Sequence, residues 1–180
     1  MGEPAPDCPL CPRLVAFRED NQAAYPDFHN GPVPSFGGAD ARLMIVGLAP
    51  GLKGANRTAR PFTGDYAGDL LYPTLKKFGL AHGTYDARPD DGVRLDDCWI
   101  TNAVRCVPPQ NKPTGAEATA CRPYLIDEIA AMLKSLRKKL MAACYTMHGV
   151  DLVAVGRNVK SRYRGGGSSP PKSLSLRPLT

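Results

Sequence analysis

Three runs of apolar residues punctuate the chain, and helical spacing fills the stretches between them. Arg42-Leu-Met-Ile-Val-Gly-Leu48 is the clearest run, bounded by Asp40 and the Pro50-Gly51 turn. Asp97-Cys-Trp-Ile-Thr-Asn-Ala-Val104 is the second, and Val150-Asp-Leu-Val-Ala-Val155 a weaker third. Continuous apolar runs suit strands of a parallel sheet covered on both faces. From Gly68 to Phe78, Leu70, Leu71, Leu75 and Phe78 recur at helical spacing. This predicts a helix with Pro73 in its first turn. Thr114-Gly-Ala-Glu117 is a capping-box pattern and predicts a second helix. Tyr124, Leu125, Ile129 and Leu133 continue its apolar face. Strands alternating with helices predict an α/β layered fold.

Composition narrows the picture. Hydrophobic residues make up 43% of the 180, enough for a core, and charged residues 22%. No run approaches the roughly 18 apolar residues of a membrane span, so no membrane association is expected. The start, Met1 to Asp7, lacks the basic and apolar segments of a secretory signal, so a cytoplasmic location is expected. Gly and Pro, 18 each, cluster between the apolar runs and predict long, shaped loops. Arg164-Gly-Gly-Gly-Ser-Ser-Pro-Pro-Lys-Ser has linker composition. Residues 1–164 therefore read as one domain and residues 165–180 as a disordered tail. The net charge of +6 is uneven: from Ala131 onward ten Lys/Arg face one acid, and the first 130 residues carry 13 against 16. A basic excess permits a nucleic-acid partner, but one confined to a single segment does not establish it.

Two constellations carry candidate chemistry. Cys8-Pro-Leu-Cys11 is a CxxC, and Cys106 and Cys121, beyond the second strand, have fourteen residues between them. Four thiolates suit zinc or an iron–sulfur cluster. Spacing alone leaves ligation and plain burial equally open, whereas Cys98 and Cys144 read as core thiols. The second constellation is the loop after the first strand, Gly47-Leu-Ala-Pro-Gly51 on to Asp65. Ligand sites of open α/β sheets lie at carboxyl strand ends, and a long Gly-rich loop there suits binding. Asn56, Arg57, Arg60 and Asp65 supply polar groups and Phe62 an aromatic face. A phosphate-cradling P-loop is excluded, because no Gly-Lys-Ser/Thr follows. Asn102 ends the second strand, where an amide could meet a planar heterocycle; the position equally suits a cap or turn.

Gly47-Leu-Ala-Pro-Gly51, Asn56-Arg-Thr-Ala-Arg-Pro-Phe-Thr-Gly-Asp65, Gly68-Asp-Leu-Leu-Tyr72 and Thr101-Asn-Ala-Val-Arg-Cys106 together resemble the uracil-DNA glycosylase superfamily. Within it they are most similar to the family 5 type, with family 4 close, over about residues 8–130. The resemblance implies a three-layer α/β/α fold with a central four-stranded parallel sheet. It implies excision of uracil, and of other deaminated bases, from DNA. A monomer is expected, since Gly-rich DNA-facing loops need no partner. Cys8, Cys11, Cys106 and Cys121 correspond to ligands of a [4Fe–4S] cluster. Gly47, Leu48, Ala49, Pro50 and Gly51 correspond to the base pocket, with Phe62 stacking on uracil and Asn102 bonding its edge. Asp65, with Asn102, corresponds to the catalytic machinery: a carboxylate favours the positive charge that develops on the sugar. Asn56, Arg57 and Arg60 are the expected DNA contacts. The family's His-Pro-Ser-like loop has no counterpart around His29, His82 or His148. Such a donor is commonly worth about 2.7–4 kcal/mol in a transition state. Weak or absent excision is therefore expected, with an iron–sulfur or zinc module that binds DNA without cutting it as the alternative.

Overall fold

A computed structural model describes residues 2–148, with side chains through Met141. The chain divides into two compact units, residues 1–139 and 140–180; all that follows concerns the first unless α4 is named. The elements in order are α1 (Pro12–Ala24), β1 (Phe36–Gly37), β2 (Leu43–Gly47), α2 (Ala55–Thr58), α3 (Tyr66–Lys77), β3 (Ala81–His82), β4 (Arg94–Leu95), β5 (Cys98–Asn102), a 3-10 turn (Pro109–Asn111) and α4 (Gly115–His148). The third apolar run, Val150–Val155, and the tail from 165 lie outside the described residues.

The expected α/β class is what forms. In place of a four-stranded parallel sheet, the described residues make a three-stranded mixed sheet of order β1-β5-β2 and a separate β3-β4 hairpin. β5 is the central strand and is buried throughout; its β-branched and aromatic side chains suit a pleated, covered surface. It pairs antiparallel with β1 and parallel with β2, in a register that sets Gly47 beside Asn102. The ladder continues past the strand ends, Ala103 N–H donating to the Gly47 carbonyl and Val104 N–H to that of Leu48. β2 departs from the fully covered expectation, with Leu43 40% and Val46 45% exposed. It has a partner on one side only among the described residues, so it behaves as an edge strand.

Helix α3 begins at Tyr66, two residues earlier than predicted, which moves Pro73 from the first turn into the helix interior. The earlier start has a physical cause: Asp65 is the N-cap, its Oδ1 accepting the Gly68 N–H at 2.9 Å. Lys76 and Lys77 face the negative end of the helix dipole. The capping box of α4 forms as its sequence predicts. Thr114 N–H donates to Glu117 Oε2 at 2.7 Å, and Glu117 N–H to Thr114 Oγ1 at 3.3 Å. The predicted apolar face of α4 is only partly covered: Tyr124 and Leu125 are half-buried, but Ile129 and Leu133 are exposed. Polar anchors hold this helix instead, through Glu117 to Arg13, Glu128 to Thr101 and Arg105, and Ser135 to Asp40. Arg105 Nη2 lies 2.6 Å from Glu128 Oε1 without hydrogen-bond alignment, so attraction there is chiefly that of charge.

Two apolar cores result. Tyr72, Leu75, Ala81, Val93, Cys98 and Ile100 form one, with Phe62 packed against it. Leu14, Val104 and Cys121 form the other, with Ala49, Cys11 and Cys106 at its margin. No helix of the described residues is long and apolar enough to cross a membrane.

Candidate active site and cysteine corner

The cavity that matters lies where the parallel strands end and the two cores meet. It measures 180 Å³ and is lined by Gly47, Leu48, Ala49, Pro50, Gly51, Phe62, Asp65 and Asn102, together with Ala55 and Ala67. That is smaller than the roughly 300–1,000 Å³ clefts that take drug-sized ligands, and suits a single planar ring. All the residues read from sequence as pocket or catalytic residues meet at this cavity. Ala55 and Ala67 give no sign of this in the sequence, because a methyl group on the first residues of a helix carries no chemical signal.

Backbone geometry explains why Gly47 stands at the end of β2. A Cβ there would come within 2.3 Å of Asn102 Oδ1 and 2.8 Å of the Phe62 ring. Only a bare α-carbon lets the amide and the aromatic ring border one space. Phe62 has φ +54°, the left-handed region that side chains other than glycine rarely occupy. Its carbonyl rests on Gly68, where a Cβ would approach to 1.8 Å. Asp65 serves two surfaces: Oδ1 caps α3, while Oδ2 lies 3.1 Å from where a Cβ on Gly54 would stand. Asn102 is 4% exposed, placed by β5 and buried by the loops around it.

The three residues expected to contact DNA separate in the structure. Arg57 is exposed, with Nε donating to the Lys53 carbonyl at 3.1 Å. Arg60 is buried: Nη1 and Nη2 pair with Asp91 at 2.7 and 2.6 Å, and Nε donates to Thr63. Its guanidinium also lies 5.1–5.8 Å from the ring centres of Phe36, Tyr72 and Tyr85. A guanidinium spent in this way cannot reach a phosphate, so the DNA-contact reading of Arg60 is corrected. Asn56 is corrected likewise; it is 1% exposed and donates to Asn30 Oδ1 at 2.9 Å. Sequence missed both because polar residues in a loop look alike whether they face water or the core.

The cysteines divide as well. Cys98 is buried in β5, and the side chain of Cys144 lies outside the described residues. Cys11, Cys106 and Cys121 share the second core. Burial, then the neighbouring Cys121, Glu117 and Cys8, push the Cys11 thiol up to about 11. Burial and Cys121 push Cys106 up to about 12, against the pull of Arg18. Burial raises Cys121 too. Cys11, Cys106 and Cys121 therefore sense one another in a low-dielectric corner beside Cys8, where a metal cation would reverse the sign of these three shifts. Among the described residues no three are yet arranged as a ready-made cation site. In donor chemistry the set fits a four-thiolate centre. A neighbouring 250 Å³ cavity between Leu10 and Ala120 offers no competing base site, since its Glu117 is already bound by Arg13 at 2.8 Å.

Comparison with known proteins accords with this layout. Residues 34–144 match the model of the family described as Uracil DNA glycosylase superfamily. A "Type-5 uracil-DNA glycosylase" of Thermus thermophilus is 49% identical over 119 residues, covering 63% of this chain and 54% of that protein. A protein of the same description from Mycobacterium tuberculosis is 45% identical over 124 residues, covering 66% and 46%. A "Type-4 uracil-DNA glycosylase" of Pyrobaculum aerophilum is 38% identical over 106 residues, covering 58% and 46%. The chain thus spans about half the length of these relatives. The match takes in β2, the loop to Asp65, α3, β5 and Cys106 and Cys121, and the chain belongs to the uracil-DNA glycosylase superfamily.

Proposed function

We propose that the chain binds DNA carrying uracil or another deaminated base and hydrolyses the N-glycosidic bond of that base, as in base-excision repair. The observation that carries this reading is the meeting of Gly47, Phe62, Asp65 and Asn102 on one ring-sized cavity. The base must leave the helical stack to reach any such cavity. Phe62 covers its face, and the Asn102 amide offers a donor and an acceptor to the pyrimidine edge. As the bond to the base breaks, the sugar becomes oxocarbenium-like, and the Asp65 carboxylate favours that charge. Capping fixes one Asp65 oxygen on the Gly68 N–H and leaves the other to face the substrate or an attacking water. Arg57 is the phosphate contact of this loop.

Cys8, Cys11, Cys106 and Cys121 would hold a [4Fe–4S] cluster, with zinc the lesser fit. The bound group would tie the N-terminal segment to the loop after β5. The monomer and the cytoplasmic location belong to the same reading.

One observation favours a second reading, a module that binds without cutting. No histidine lines the cavity among the described residues: His29 contacts the Pro32 carbonyl and His82 pairs with Asp96. A single experiment separates the two. The full chain, purified without oxygen, and its Asp65→Ala variant are incubated with an oligonucleotide carrying one uracil, and free base is measured. Slow release that disappears in the variant supports the glycosylase. Selective binding of uracil-DNA without release supports the binding module, and neither outcome sinks both.

A further inference from the structure

Phe62 is the strained residue of the cavity, and the groups that hold it there come from a part of the chain with no role in the chemistry above. Resting on the reading just proposed, we infer that the buried Arg60–Asp91 pair is a positioning device for Phe62, which makes the loop between β3 and β4 a determinant of base recognition.

Asp91 has no side-chain exposure and Arg60 5%, and their two parallel contacts fix the guanidinium plane. Asp91 is itself fixed, accepting the N–H groups of Asp86 and Val93 at 3.0 and 3.1 Å. Arg60 Nε then reaches Thr63 at 2.8 Å, so one side chain clamps the residues on both sides of Phe62. Tyr72 Oη donates to the Pro61 carbonyl at 2.7 Å. Tyr85 Oη accepts the Gly64 N–H at 3.2 Å, and its ring stacks on Tyr72 at 4.6 Å. Both rings flank the guanidinium. Residues 60–64 are thereby held at four successive points around one left-handed Phe. A buried ion pair is poor value as plain stabilisation, since apolar replacements of equal volume commonly do as well. Its fork geometry does something that apolar groups cannot: it orients.

The test measures binding to two duplexes, one carrying a 2′-fluoro-deoxyuridine, whose glycosidic bond resists cleavage, and one carrying an abasic analogue. The ratio of the two dissociation constants isolates recognition of the base. Asp91→Asn is expected to reduce that ratio at least tenfold while leaving affinity for the abasic duplex within about twofold. The double variant Arg60→Met/Asp91→Leu is expected to restore thermal stability but not the ratio, because it fills the volume without orienting the loop. Restoration of both together overturns the inference, as does an unchanged ratio in Asp91→Asn. A wild-type chain that does not distinguish the duplexes overturns it along with the functional reading, whereas a discriminating wild type confines any failure to the positioning role.

Discussion

At the carboxyl ends of β2 and β5, the groups that would touch a base already border one space. Around Cys8, Cys11, Cys106 and Cys121 they do not. The cavity is assembled by things the chain supplies itself: a strand register that sets Gly47 beside Asn102, an N-cap that fixes Asp65, and a buried ion pair next to Phe62. The cysteine corner brings thiols into one apolar region, where burial and mutual repulsion disfavour the thiolate form. The difference teaches how each site is stabilised. Packing and hydrogen bonds can preform a pocket for a neutral ring, whereas a cluster of thiolates is stable only with a cation to hold it.

That contrast can be broken most severely at Gly47. Gly47→Val would drive a side chain between Asn102 and Phe62, and uracil release is expected to fall at least 100-fold in single-turnover assays, with the cysteine corner untouched. The converse change, Cys106→Ser, is expected to abolish bound iron and visible absorbance. It should lower Tm by several degrees, on the order of 2–4 °C per kcal/mol for a chain of this size; iron retained in that variant would remove Cys106 from the ligand set. Arg57→Ala is expected to weaken DNA binding about equally for all sequences and reduce the salt slope by about one. Arg60→Ala should not alter that slope, since Arg60 is buried.

The smallest effect is in pH. The Arg60 guanidinium holds the Asp91 carboxyl well below its usual range, with two backbone N–H groups adding to the shift against burial. Depressed in the folded state, this group contributes stability that is present above the ordinary carboxylate pKa of about 3.9 and is lost as pH falls toward the folded value. The Tm of the wild type should therefore fall more steeply below about pH 4 than that of Asp91→Asn. Parallel curves would mean that Asp91 does not set this acid limb.

Sequence made the pocket more legible than the frame around it. The run from Gly47 to Asp65 announces a binding loop because glycines, an aromatic and a carboxylate follow a strand, and those features act locally. The capping box at Thr114 is local too. Burial is not. Arg57 and Arg60 are three residues apart in one loop; what separates them is Asp91, far along the chain, and no spacing rule reaches it. The same holds for Asn56, whose partner is Asn30. Pro73 misleads for a different reason: the helix start is set by the Asp65 cap, so a proline expected in the first turn is carried inside. The partial cover of α4 is a property of what packs on Ile129 and Leu133, which their helical spacing cannot show.

The central claim is that the cavity between Phe62, Asn102 and Asp65 receives a flipped base. A crystal structure of the full chain with a duplex carrying one 2′-fluoro-deoxyuridine tests it most directly. The uracil ring is expected face-on to Phe62, its edge hydrogen-bonded to Asn102, and the sugar carbon of the glycosidic bond nearest the Asp65 oxygen that does not cap α3. A base left in the helical stack, or one bound elsewhere on the chain, would contradict it.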